Sequence, residues 1–155
     1  AVTLRVAVTV ALALALLAAS LPAIESARVQ HSEARIAAEV QRLDRAATAL
    51  AAESDAVETG QSARARFTLH LPSRSWGDSG VGQLRILPGC TTRDVVWSAR
   101  GGRQQSHRLS SVSLAGATGG LRIADGGRSR LVLELRRQGD RRLVIVRRPR
   151  SNVGA

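Results

Sequence analysis

Apolar residues follow three regimes along the chain. From Val6 to Ile24, "VAVTVALALALLAASLPAI", no charged residue interrupts 19 positions. At about 1.5 Å per helical residue the run covers about 28 Å, close to the roughly 30 Å hydrocarbon core of a bilayer. The spacing then changes. Val29, Ile36, Leu43, Leu50 and Val57 recur every seven residues, and Val40 and Ala47 fill the intermediate positions. A heptad stripe of this kind predicts an amphipathic helix from about residue 25 to 57. Abundant Ala, Glu, Arg and Gln supply helix propensity, and Glu39 with Arg42 adds an i,i+3 pair. Two surfaces suit the stripe: the chain's own β-domain, or a partner helix, since the Ala-heavy flanks allow close approach.

After "ETGQS" the apolar positions alternate in short runs: "RFTLHL" from Arg66, "QLRIL" from Gln83, "DVVWSA" from Asp94, "SHRLS" from Ser106 and "LRIA" from Leu121. Period two with Gly, Pro and Asp breaks predicts strands. In "SRLVLELRRQGDRRLVIVRR" Leu131, Leu133 and Leu135 share a face, Gln138-Gly139-Asp140 turns the chain, and Leu143 and Ile145 return, which predicts a hairpin with one apolar face. Trp76 and Trp97 read as core or sheet-cover residues. The expected fold is α+β: a hydrophobic helix continuing into an amphipathic one, then a small antiparallel β-sandwich or curled sheet. The expected divisions are 1–24, a transmembrane anchor or signal segment; 25–59, the heptad-patterned helix; 61–148, an Arg-rich β-domain; and 149–155, a flexible tail.

The first segment has two readings. Its length suffices for a span, and joined to the heptad helix it would make one rod, kinked at Pro22. Arg5 followed by the apolar run Val6–Ala19, with small residues at Ala18-Ala19-Ser20, also fits a cleaved secretory signal. The heptad helix immediately after it favours retention. Counting Arg28, Arg35 and Arg42 after the span against Arg5 before it places the C-terminal side in the cytoplasm. The export-like N-terminus argues the reverse, and the β-domain is expected outside the cytoplasm, on a single-pass cell-membrane protein.

Charge sharpens this picture. All 23 basic residues are Arg, and Lys is absent. Residues 1–60 hold five Arg against seven Asp and Glu, a net of −2, while residues 61–155 hold 18 against five, a net of +13, so the basic character of a chain of net +11 belongs to its second part. The densest cluster is Arg136, Arg137, Arg141, Arg142, Arg147 and Arg148, with Arg150 beside it; these are the candidate anion-contacting residues. The first reading of the cluster is a solvated, aggregation-blocking sheet edge. An acidic protein or lipid surface is the next reading. Nucleic acid is the weakest, because single-strand binding couples charge to aromatic stacking and the domain has only Phe67, Trp76 and Trp97.

Catalytic patterns are sparse. "GDSG" at Gly77–Gly80 resembles the nucleophile loop of trypsin-like serine proteases, but the chain is too short for two barrels, and a turn is expected there. His31, His70 and His107 lack metal-ligand spacing, the single Cys90 forms no intrachain disulfide, and without Lys there is no Walker A or Schiff-base lysine. We expect no enzyme, no cofactor and no metal site, with a membrane and protein partners of the helix as the main associations.

The layout of "LALLAASLPAIE", a helix, "FTLHLPSRSW" and a final "RRLVIVRR" strand resembles small uncharacterised single-span proteins of halophilic archaea. An apolar helix with a proline partway along, an amphipathic continuation and a β-rich head also resembles type IV pilin-like proteins. That likeness implies apolar helices bundled into a filament or secretion core with the heads facing outward.

Overall fold

In the computed structural model of the chain, residues 2–53, 63–88, 94–109, 113–117, 119–138 and 141–150 are described. One helix, α1, runs from Val2 to Glu53 and continues without a break through Pro22. At about 1.5 Å per residue it is about 78 Å long, far longer than the body it serves. Its two halves differ in surroundings. The apolar segment is long and hydrophobic enough to cross a membrane, and no part of it is buried against the domain. Beyond Arg28 the helix buries one face.

That face is the heptad stripe. Ile36, Val40, Leu43, Ala47 and Leu50 are buried in the core of the β-domain, and Val29 packs at its margin. Val57 lies outside the described residues, as do residues 54–59 of the expected helix. The stripe is therefore covered by the chain's own sheets, and the buried Leu and Ile each contribute about 1.5–3 kcal/mol of transfer free energy. Pairing with a second helix would require opening this core.

Among the described residues eight strands follow: β1 (Arg64–Leu71), β2 (Val81–Ile86), β3 (Asp94–Ala99), β4 (Gln105–Arg108), β5 (Ser113–Gly116), β6 (Leu121–Ile123), β7 (Gly127–Gln138) and β8 (Arg141–Arg147). They form two four-stranded sheets, ordered β1-β7-β8-β5 and β4-β3-β2-β6. The fold is α+β with no closed barrel. Inward side chains of both sheets and of α1 share one core, including Leu69, Leu84, Val95, Trp97, Leu131, Leu133, Val144 and Val146.

Three features depart from the sequence pattern. β5, "SLAG", shows too little alternation to stand out. It pairs parallel to β8, so the first sheet is mixed where an antiparallel one was expected. In the β7–β8 hairpin Gln138 pairs with Arg141, leaving two connecting positions rather than three. With period-two side chains that one-residue difference exchanges the faces of the returning strand. Leu133 and Leu135 stand opposite Val146 and Val144, which point inward, while Leu143 and Ile145 share the outer face with Arg136 and Glu134. Finally, Trp97 is in the core but Trp76 is 93% exposed. Trp97 sits on an inward position of β3, whereas Trp76 lies on the loop between β1 and β2, outside any alternating strand.

The helix also manages a sheet edge. Among the described strands β1 pairs with β7 alone, and unpaired strand edges invite association. Arg42 Nη2 donates to the Thr68 carbonyl, and the His70 backbone N–H donates to Glu39 Oε2 at 2.8 Å. Glu39 also pairs with Arg42, whose guanidinium lies over the Phe67 ring at 4.9 Å. Polar helix side chains thus satisfy the outward groups of β1 where a further strand would otherwise bind. Each histidine sits on this seam opposite a carboxylate: His31 with Asp78 at 3.0 Å, His70 with Glu39 at 3.9 Å, and His107 with Asp44 at 3.1 Å.

Candidate functional site

The outer face of the first sheet carries a half-open groove of about 750 Å3 lined by Arg64, Glu134, Arg136, Ile145, Arg147, Arg148 and Arg150 with Gly116 and Ala117. Strand register builds it. Arg64 of β1, Glu134 of β7 and Ile145 of β8 stand side by side across three strands. Arg136 follows Glu134 on the same face, and Arg147 is the neighbour beside Val132. Gly116 and Ala117 end β5 at the rim and leave it shallow.

Glu134 is the hub. Its side chain is only 5% exposed, although it stands on the outer face, because arginines cover it. Arg136 Nε donates to it at 3.2 Å, and Arg64 and Arg147 each lie 3.6 Å away. Burial pushes the Glu134 carboxyl up, but the Arg136 hydrogen bond and the charges of Arg64, Arg136 and Arg147 outweigh it and hold the group below the usual carboxylate range. An ionised Glu134 therefore orients three guanidinium groups without neutralising them. Five arginines against one carboxylate leave the groove cationic, with planar donors suited to carboxylate or phosphate.

The sequence-predicted arginines divide. Arg136, Arg147 and Arg148 line the groove, where Arg148 Nη2 also donates to the Arg122 carbonyl at 3.2 Å. Arg142 turns away and donates to the Ala51 carbonyl of α1 at 3.3 Å. Arg137 is exposed and pairs in register with Arg142, away from the Glu134 face. Arg141 pairs in register with Gln138 at the hairpin end. Sequence reasoning missed Arg64, at the far end of the domain's sequence, and Glu134. A lone carboxylate at an outward position between Leu133 and Leu135 was the available signal; the β1–β7 pairing that brings Arg64 to it was not readable.

The "GDSG" loop has a different use. Asp78 is buried and accepts from Arg35 Nη1 at 2.6 Å and from Ser32 Oγ at 3.3 Å, with His31 Nδ1 at 3.0 Å. The Arg28 guanidinium donates to the carbonyls of Ser75 at 2.6 Å and Asp78 at 3.2 Å. These contacts clamp the loop to α1. Ser79 Oγ is buried without a hydrogen-bond partner, and no histidine bonds to it. Among the described residues no three His, Cys, Asp or Glu side chains converge as metal ligands do.

A long helix with an exposed apolar half, welded to a two-sheet domain bearing a cationic groove, defines the class of protein. Within it, the chain belongs to the family described as domain of unknown function DUF7311, whose model matches residues 3–149. No curated protein and no solved structure matches the chain.

Proposed function

We propose that this is a non-enzymatic, single-span membrane protein that holds a rigid β-domain at the membrane surface, outside the cytoplasm. Its role is that of an accessory or pilin-like subunit of a surface or secretion assembly, with the Arg64–Glu134–Arg147 groove engaging an anionic partner. The observation that carries the reading is the division of α1, whose apolar half is wholly uncovered while its second half forms part of the domain core. Water does not stabilise about 20 exposed apolar residues in a row; a bilayer or the apolar helices of other subunits do. With the heptad stripe already occupied, partner helices would meet the chain through residues 2–27. The groove supports an anionic protein surface over nucleic acid, since among the described residues no aromatic ring lines it.

Alkaline carbonate extraction of host membranes, followed by N-terminal sequencing, tests the proposal. An intact chain retained in the pellet supports it. A soluble chain beginning near Leu21 would overturn the anchor and leave a secreted, signal-processed β-domain that binds a polyanion.

A further inference from the structure

We propose that the face of the β-domain beside the helix exit seats on the headgroup layer of anionic phospholipid, with Trp76 inserted as its interfacial anchor. The inference rests on the membrane-anchored reading above and adds the orientation of the domain and a second, lipid-binding surface.

The geometry starts from Arg28. It lies four residues past Ile24, the end of the apolar run, which is about 6 Å along the helix axis. Helical side chains lean towards the N-terminus, so the Arg28 guanidinium reaches back towards the membrane end. There it holds the carbonyls of Ser75 and Asp78, the residues that bracket Trp76. The interfacial layer of one leaflet is about 5–8 Å deep, the difference between the whole bilayer and its hydrocarbon core, shared between two sides. Trp76 is therefore carried at headgroup depth, where the amphipathic indole is favoured.

Its loop is fixed there. Asp78 ties it to Arg35, His31 and Ser32 of α1, the Arg100 N–H donates to the Gly80 carbonyl at 2.9 Å, and the Ser75 N–H donates to the Asp78 carbonyl at 3.0 Å. A large apolar side chain on a loop this well anchored, yet 93% exposed, has no cover among the described residues. The surrounding charge suits one occupant. Arg74 on the same loop is exposed, as are Arg100 and Arg103, whose loop packs on Val29 through Gly101 and Gly102. The carboxylates of this end are the exposed Asp125, next to Gly126 against Ser73, Glu33 beside Gly102, and Glu25, which pairs with Arg28 at 2.9 Å. The exposed Arg74, Arg100 and Arg103, on the loop that carries Trp76 and the loop bonded to it through Arg100 and Gly80, suit anionic headgroups above an acyl boundary, and the same helix delivers both loops to that boundary.

The test uses the full chain reconstituted in vesicles of phosphatidylglycerol and phosphatidylcholine in equal parts, with bromine on the upper acyl carbons. Subtracting the emission of Trp76→Ala from that of the unaltered chain isolates Trp76, because Trp97 is buried in both. We expect the Trp76 component to lose most of its intensity to bromolipid, to resist aqueous acrylamide, and to become acrylamide-accessible in the Arg74→Glu, Arg100→Glu, Arg103→Glu chain. A chain that floats with the vesicles but whose Trp76 is quenched freely by acrylamide and not by bromolipid overturns this inference and leaves the anchor standing. A chain that does not float overturns both. Equal bromolipid quenching on phosphatidylcholine alone overturns the assignment to anionic lipid.

Discussion

Arg35 of α1 and Asp78 of the β1–β2 loop meet at 2.6 Å across 43 residues of chain, and this pair locks the loop to the helix. Asp78 also receives Ser32 and faces His31, so one buried carboxylate organises three helix side chains. Replacing Asp78 by Ala would leave those donors without their acceptor. Because the Arg35 side chain is half exposed and can turn to water, the expected loss is about 2–3 kcal/mol, below that of a fully buried ion pair. Urea unfolding of the full chain in detergent, followed by Trp97 fluorescence, measures it; an unchanged midpoint would show that the clamp contributes nothing.

Leu43 is fully buried between the helix and the sheets. Leu43→Ala is expected to cost about 2–5 kcal/mol through lost contacts and a residual cavity. Leu43→Glu should unfold the head, since the stripe is internal; a folded head with altered complex size would instead mean that the helix can leave the domain and pair elsewhere. Circular dichroism and size-exclusion chromatography of the two variants separate these outcomes.

Glu134 sets a pH dependence with a definite sign. Its folded pKa is lowered below the ordinary 4.5, so its ion pairs stabilise the native state fully above that value and are lost as pH falls through the folded value. Glu134→Gln is expected to be less stable than the unaltered chain by about 1 kcal/mol at neutral pH, a figure kept small by its partly exposed arginine partners. The gap should close under acid. A difference that persists at low pH would assign the effect to packing rather than charge.

Arg148 and Arg150 line the groove but are exposed and stand outside the strands, so Arg148→Glu with Arg150→Glu should spare the fold. Binding of a poly-glutamate peptide to the full chain in detergent, followed by titration calorimetry, is expected to weaken by about tenfold or more, equivalent to about 1.4 kcal/mol. Binding by the unaltered chain should also fall with added salt. Equal affinity in the two chains would remove the groove as the anion site.

Much of the fold was legible because regular elements write their period into the chain. The seven-residue recurrence from Val29 to Leu50 marked the buried helix face, and Asp94–Ala99 reads as a strand at both levels. What the pattern left open was which surface covers a face. The heptad stripe suits a partner helix and the chain's own sheets alike, since both present apolar area, and only the packing selects the sheets. The hairpin shows a finer limit: one residue of turn length decides whether Val144 and Val146 or Leu143 and Ile145 face inward, and the flanking residues are apolar at both parities. The arginine cluster likewise marked a basic region without separating Arg147, which enters the groove, from Arg142, which bonds to the helix backbone at Ala51.

By itself the sequence determined the elements and their order: an uncharged apolar run of spanning length, a helix with one buried stripe, alternating strands, and a positive charge concentrated in the second part of the chain. These are local properties, set by backbone periodicity and side-chain type within a few residues. The tertiary structure decided which distant residues meet: Arg64 with Glu134 to make the groove, Asp78 with Arg35 to clamp the loop, and Trp76 placed outside while Trp97 is placed within. Those outcomes depend on strand register and on the docking of α1 across the open side of two sheets, where contacts form between residues tens of positions apart and no short stretch of sequence carries their pairing.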